Sequence, residues 1–155
     1  MRVTMIPLCW TAADEQVLDA NTSLISTRYA RQRSCMGLYA RYEALAQNGG
    51  AWWVGRDAQR RVVGISSARP DGFGFSIDGF AHRISPALWS GLIDTAVGWA
   101  RAKGTGSCHA LVSSEDEEKQ QRFVAAGWHQ AGSGARIGID ERQVPTVRLR
   151  LDAHH

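Results

Sequence analysis

In the middle of this chain the hydrophobic period changes from that of strands to that of a helix near residue 85, and that change constrains the fold more than any other feature. Residues 51–81 read at period two. A strand over 51–55 is led by Trp52 and Trp53, a turn around Asp57 and Gln59 follows, and residues 61–68 carry Val62, Val63 and Ile65. Pro70, Asp71 and Gly72 spell a turn, because proline presets φ and glycine supplies a positive φ. Alternation resumes after it, with Phe73, Phe75 and Ile77 on one face and Gly74, Ser76, Asp78 and Phe80 on the other. Three strands joined by short turns predict an antiparallel meander. From Ser85 the period is helical. Ser85 is a good N-cap, and Pro86 suits the first helical position, where its missing N–H costs nothing. Leu88, Trp89, Leu92, Ile93, Ala96, Val97 and Ala100 form one apolar stripe, and Lys103 and Gly104 end the helix.

The flanking segments supply further elements. Residues 3–8 read as a strand ended by Pro7. Thr11 and Asp14 form a capping pair for a helix that places Val17, Leu18, Asn21, Leu24 and Ile25 on one face. A second helix buries Leu38, Tyr39, Tyr42, Leu45 and Ala46 and stops at Asn48, Gly49 and Gly50, residues that tolerate the left-handed conformation. Beyond the central helix, residues 107–113 read as a buried strand. Ser114 to Glu117 has the form of a second capping box, opening a helix that ends near Ala126 with Gly127 as its cap. Strands follow over 134–139 and 144–151; in the last, Val147, Leu149 and Leu151 alternate with Arg148 and Arg150. The order predicts an α+β domain: a mixed, mostly antiparallel sheet of about seven strands flanked by four helices.

Composition narrows the class. With 155 residues, 44% apolar and 21% charged, the chain is expected to form a single domain over 1–155. No apolar run approaches the ~18 residues of a membrane span, and the first residues lack a signal peptide's long apolar segment, so the expected location is cytoplasmic. Cys9, Cys35 and Cys108 are odd in number and scattered, which fits buried thiols rather than disulfides or a zinc site. The net charge is +3, and no Lys/Arg run accompanies it, so nucleic acid is not an expected partner. Lys103 and Lys119 are the two lysines. No Ser/His/Asp triad order, Walker loop, dinucleotide fingerprint or metal motif is present.

Four stretches in order, Arg61-Val-Val-Gly64, Ile77-Asp-Gly-Phe-Ala81, residues 92–104 and Phe123-Val-Ala-Ala-Gly-Trp128, resemble the GNAT superfamily of N-acetyltransferases. The resemblance covers the whole chain in element order and about 62–128 in sequence. It implies transfer of an acetyl or other acyl group from acyl-CoA to an amine of a small molecule or peptide, with acetyl-CoA as co-substrate and no metal. It also implies that Phe80, Ala81, His82, Arg83, Ser85, Ala87 and Leu88 border the cofactor, with Ser113, Ser114 and Phe123 along the pantetheine arm. A helix N-terminus beside Arg83 would suit a diphosphate on physical grounds as well.

The chain departs from the family pattern at two places. The family's Arg/Gln-x-x-Gly-x-Gly/Ala loop corresponds here to residues 82–89, which contain no glycine. The tyrosine that protonates the leaving thiolate in many members is replaced by Phe123, which cannot transfer a proton, and the Asn seven residues before it by Asp116. A catalytically inactive binding or regulatory module of the same shape is the alternative expectation. For an enzyme, Asp78 or His82 is the expected base, with His109 a further candidate. Arg28 and Arg31, with Arg33, could attract an anionic acceptor, and an outward-facing Trp52 or Trp53 could wall it. Glu115, Asp116, Glu117 and Glu118 are expected to favour the dipole of their helix. The alternation of the last strand leaves room for pairing with a second copy of the chain.

Overall fold

Seven strands form one sheet in the computed structural model, which describes residues 2–5, 44–60, 62–72, 74–81, 86–104, 107–139 and 142–152. The elements are β1 (Arg2–Met5), β2 (Ala51–Arg56), β3 (Val62–Asp71), β4 (Gly74–Ala81), α1 (Pro86–Ala102), β5 (Cys108–Ser113), α2 (Glu117–Ala125), β6 (His129–Ile139) and β7 (Arg142–Leu151). The sheet order is β1-β2-β3-β4-β5-β7-β6. Every neighbouring pair is antiparallel except β4 and β5, which run parallel because α1 carries the chain across between them. The expected helix after Thr11 lies outside the described residues. The second expected helix is described over its last turn, 44–47. There the Gly50 N–H donates to the Leu45 carbonyl at 3.0 Å and Gly49 takes φ +88°, the closure anticipated from Asn48-Gly49-Gly50.

The central helix binds the meander through the stripe read from sequence. Leu88, Trp89, Leu92, Ile93, Ala96, Val97 and Ala100 are all buried. Register and alternation put Trp53, Ser66, Ala68 and Ile77 on the face beneath α1. Gly79 lets the helix come close there, since a Cβ would stand 2.8 Å from Ile93 Cδ1. Trp99 adds edge contacts to Trp53 (5.9 Å between centroids) and Phe75 (5.2 Å).

The sequence expectation needs correction at four places. Trp52 and Trp53 do point to opposite faces, but both are buried, at 1% and 4% exposed, because Val54 and Ile65 beside Trp52 are buried on the second face too. Pro70 is not a turn residue: β3 continues to Asp71, and Pro70 pairs with Phe75. β2 begins opposite Ala68, so past that point one edge of β3 has no β2 partner, and a residue without an N–H fits there. α2 starts at Glu117 with Asp116 as its N-cap, rather than at Ser114. Residues 113–116 form a turn instead, with the Asp116 N–H donating to the Ser113 carbonyl at 3.0 Å. β6 begins at His129, five residues early, because the register shift between Gln130 and Ser133, with Gly132 at φ +109°, conceals its alternation.

Two glycines predict opposite outcomes. A Cβ on Gly50 would lie 2.6 Å from the Ala68 carbonyl oxygen and 2.7 Å from Leu45 Cδ1, whereas one on Gly98, on the exposed side of α1, would meet nothing within 4 Å. Gly50→Ala should destabilise by about 1–3 kcal/mol. Gly98→Ala should stabilise by about 0.5–1 kcal/mol by lowering the entropy of the unfolded chain. Urea denaturation of both variants checks the pair.

Candidate functional site

The parallel strands β4 and β5 are joined at only two residue pairs, Phe75 with Cys108 and Ser76 with His109. Beyond them β4 keeps its ladder with β3 to Ala81, and β5 keeps its ladder with β7 to Ser113. The two strands therefore part, and their facing edges from Ile77 and Ala110 onward border a gap inside the sheet. Strand geometry aims about half of the backbone N–H and C=O groups of each strand into it. The strands diverge because each follows its own support: α1 packs on β1 through β4, and α2 on β6 and β7.

Asp78 stands two residues past the fork. Ile77 and Gly79 face α1, so Asp78 points to the other side of the sheet. Its Oδ1 accepts from the Gly79 N–H at 2.9 Å and from Lys119 Nζ at 2.7 Å. Lys119 belongs to α2, so this ion pair ties the helix that follows β5 to strand β4, across the gap. The side chains are 16% exposed for Lys119 and 33% for Asp78. The end of β5 is fixed around them. Asp116 Oδ1 accepts from the Lys119 N–H at 3.0 Å, and Gln120 Nε2 donates to the Ser113 carbonyl at 3.0 Å. The Ser114 N–H donates to the Pro145 carbonyl at 2.9 Å.

Comparison with known proteins identifies this arrangement. A phosphinothricin acetyltransferase of the GNAT superfamily from Sinorhizobium meliloti, in complex with acetyl-CoA, matches 99% of this chain and 89% of its own at TM-score 0.75 and 17% identity. Ribosomal-protein-alanine N-acetyltransferase from Brucella melitensis matches 98% of this chain and 99% of its own at TM-score 0.77 and 14% identity. A spermidine N-acetyltransferase variant from Vibrio cholerae matches 99% of this chain and 95% of its own at TM-score 0.72 and 13% identity. The chain has the GNAT fold. No family model matches it, and no curated protein matches it in sequence.

Within the GNAT frame, the expected site residues separate into three groups. Asp78, Phe80, Ala81 and Ser113 lie along the two parted strands, and Ser114 in the turn after β5; Phe80 and Ala81 pair outward with Ile65 and Gly64. Ala87 is exposed in the first turn of α1, a turn without acidic residues. His82, Arg83, Ser85, Arg28 and Arg31 lie outside the described residues. Leu88, Trp52 and Phe123 are buried and pack in the core. Leu88 Cδ1 sits where a Cβ on Gly55 would fall, at 2.6 Å. Trp52 is 1% exposed, and Phe123 is 0% exposed with its ring edge-on to Trp89 (4.9 Å) and Trp128 (4.8 Å). His109 is buried at the fork, with Nε2 3.3 Å from Ser107 Oγ. Among the described residues, no three His, Cys, Asp or Glu side chains gather as a metal would require.

Sequence reasoning missed Lys119. The available signal was its place in α2, three residues after the capping Asp116 and one turn before Phe123, which puts it on the same helix face as Phe123.

Two predictions follow from the burial. If Phe123 lined an open channel, Phe123→Tyr would expose a solvated hydroxyl and change stability by less than about 0.5 kcal/mol. Packed between two indoles, the hydroxyl should instead cost about 1–3 kcal/mol by urea denaturation. At the fork, burial pushes the Cys108 thiol up, and the Arg101 guanidinium pulls it down to a lesser degree. A raised folded value means that the stabilising contribution is complete below the unfolded thiol's value of about 8.5 and is lost as pH rises through the folded value. The stability difference between wild type and Cys108→Ala should therefore shrink above about pH 8.5, as read from denaturant midpoints across that range.

Proposed function

We propose that the protein is an N-acyltransferase that moves an acetyl group from acetyl-CoA to an amine of a small molecule or peptide. The observation that carries this reading is the parting of β4 from β5 after two residue pairs, in a fold whose neighbours are acetyltransferases. An open strand edge inside a sheet accepts an extended chain with amide groups as an added strand. The pantetheine arm is such a chain, so β4 from Ile77 to Ala81 would hold it. The diphosphate would lie at the start of α1, where Arg83 and Ser85 adjoin the helix and Ala87 stands in its first turn; no carboxylate of that turn opposes an anion.

Chemistry then rests on placement. The thioester carbonyl would be polarised by a backbone N–H near Phe80 to His82, and the amine would attack it directly. Asp78, beside the fork and a third exposed, would take the amine's proton, directly or through water; His82 is the other candidate. Arg28 and Arg31 would contact an acceptor that carries an anionic group. Acceptors in the neighbours' names include spermidine and a ribosomal protein's alanine, and the proposal here extends to the amine class alone.

A catalytically silent binding module is the second reading. It is favoured by Phe123, which occupies the acid's usual position and is spent on packing. Acetyl-CoA at about 100 times its dissociation constant should stabilise the folded chain by about 2.7 kcal/mol, seen as a rise in Tm. No stabilisation by acetyl-CoA or free CoA would overturn the acyltransferase reading. Stabilisation without thiol release across a panel of primary amines would favour the module.

A further inference from the structure

We propose that Lys119 is the charge partner and proton donor of the departing thiolate, and that Asp78 restores its proton through their ion pair. The inference rests on the acyltransferase reading and supplies the acid that Phe123 cannot. Lys119 precedes Phe123 by one helical turn on the same face of α2. Phe123 turns into the aromatic cluster on the α1 face, whereas Lys119 reaches Asp78 on β4, just past the fork. Its ammonium therefore lies at the crossing of the gap that would hold the thioester. The cation has a proton to give and is mostly withdrawn from solvent, which strengthens its attraction for a nascent anion.

The step balances without another reactant. The amine nitrogen bonds to the acyl carbon and the C–S bond breaks, its electron pair remaining on sulfur. Lys119 Nζ gives a proton to that sulfur and becomes a neutral amine. The attacking nitrogen loses its extra proton to an Asp78 oxygen. Asp78 then passes that proton to Nζ over the 2.7 Å bond. The products are the amide and CoA thiol, and the ion pair returns to its starting charge. Pairing two oppositely charged groups in this way keeps the site's net charge constant throughout.

The test needs no knowledge of the acceptor. Free CoA is bound to the full chain, binding is confirmed by calorimetry, and the bound thiol is titrated by its thiolate absorbance. An ammonium at the sulfur should hold the thiol about one to three units below free CoA. Lys119→Met should return it to the free value or above. Lys119→Arg, which keeps the charge, should leave it low. Asp78→Asn, which removes the negative charge 2.7 Å from the ammonium, should lower it further and serves if Lys119→Met does not fold. A bound thiol that titrates alike in wild type and Lys119→Met, or that Asp78→Asn leaves unchanged or raises, would overturn the role of Lys119 and leave the acyltransferase reading standing. Failure of wild type to bind CoA would overturn both.

Discussion

The short contact between β4 and β5 is the constraint on which the rest of this structure depends. In an otherwise antiparallel sheet, these two strands are parallel, and two residue pairs hold them. A sheet with so brief a seam would divide into halves unless something else spanned it. The aromatic cluster does so. Trp89 comes from α1, which serves β1 to β4; Phe123 and Trp128 come from the α2 side, which serves β6 and β7. The edge-to-face contact of Trp89 with Phe123 at 4.9 Å joins the halves behind the gap, and Trp128 braces Phe123 at 4.8 Å from its own half. Phe123 thus does structural work that a residue bound for the gap could not do, and the absence of a phenol there has a packing reason.

The elements that were legible in the sequence are those whose burial has one period. The α1 stripe was readable because all seven of its apolar positions are buried on one side of the helix, and the Asn48-Gly49-Gly50 stop because only certain residues take a left-handed backbone. The pattern failed where a second contact competed with it. Pro70 reads as a turn in isolation, yet it sits in β3 because the neighbouring strand ends before reaching it. Ser114 has cap chemistry, but the Ser113 carbonyl captures the Asp116 N–H first and moves the helix start by two residues. Trp52 reads as outward only if one face of the sheet is wet, and that cannot be known from alternation alone.

The candidate site was legible by half, for a related reason. Asp78 could be chosen because the family resemblance marks its strand and Asp78 is the carboxylate on it. Its partner could not be chosen, because Asp78 and Lys119 are 41 residues apart and no local pattern links them. Phe123 shows the opposite limit: its position in the motif points to the gap, and only the fold reveals that Trp89 and Trp128 form an apolar box that a phenyl ring fills with no polar group left over.

The two closures of the gap differ in kind, and the difference gives the site a direction. Behind it, separating Phe123 from its two indoles would forfeit packing of the order seen for buried phenylalanine truncations, about 3–5 kcal/mol. On the Asp78 side, the link is an ion pair between a largely buried ammonium and a carboxylate a third exposed, so water reaches this closure and not the aromatic one. Under the acyltransferase reading, groups that enter there would meet a carboxylate and an ammonium before the strand edge, with Phe123 and its two indoles packed behind the gap. A sheet that is sealed by apolar contact on one face and by exchangeable charge on the other can admit a ligand without loosening its core.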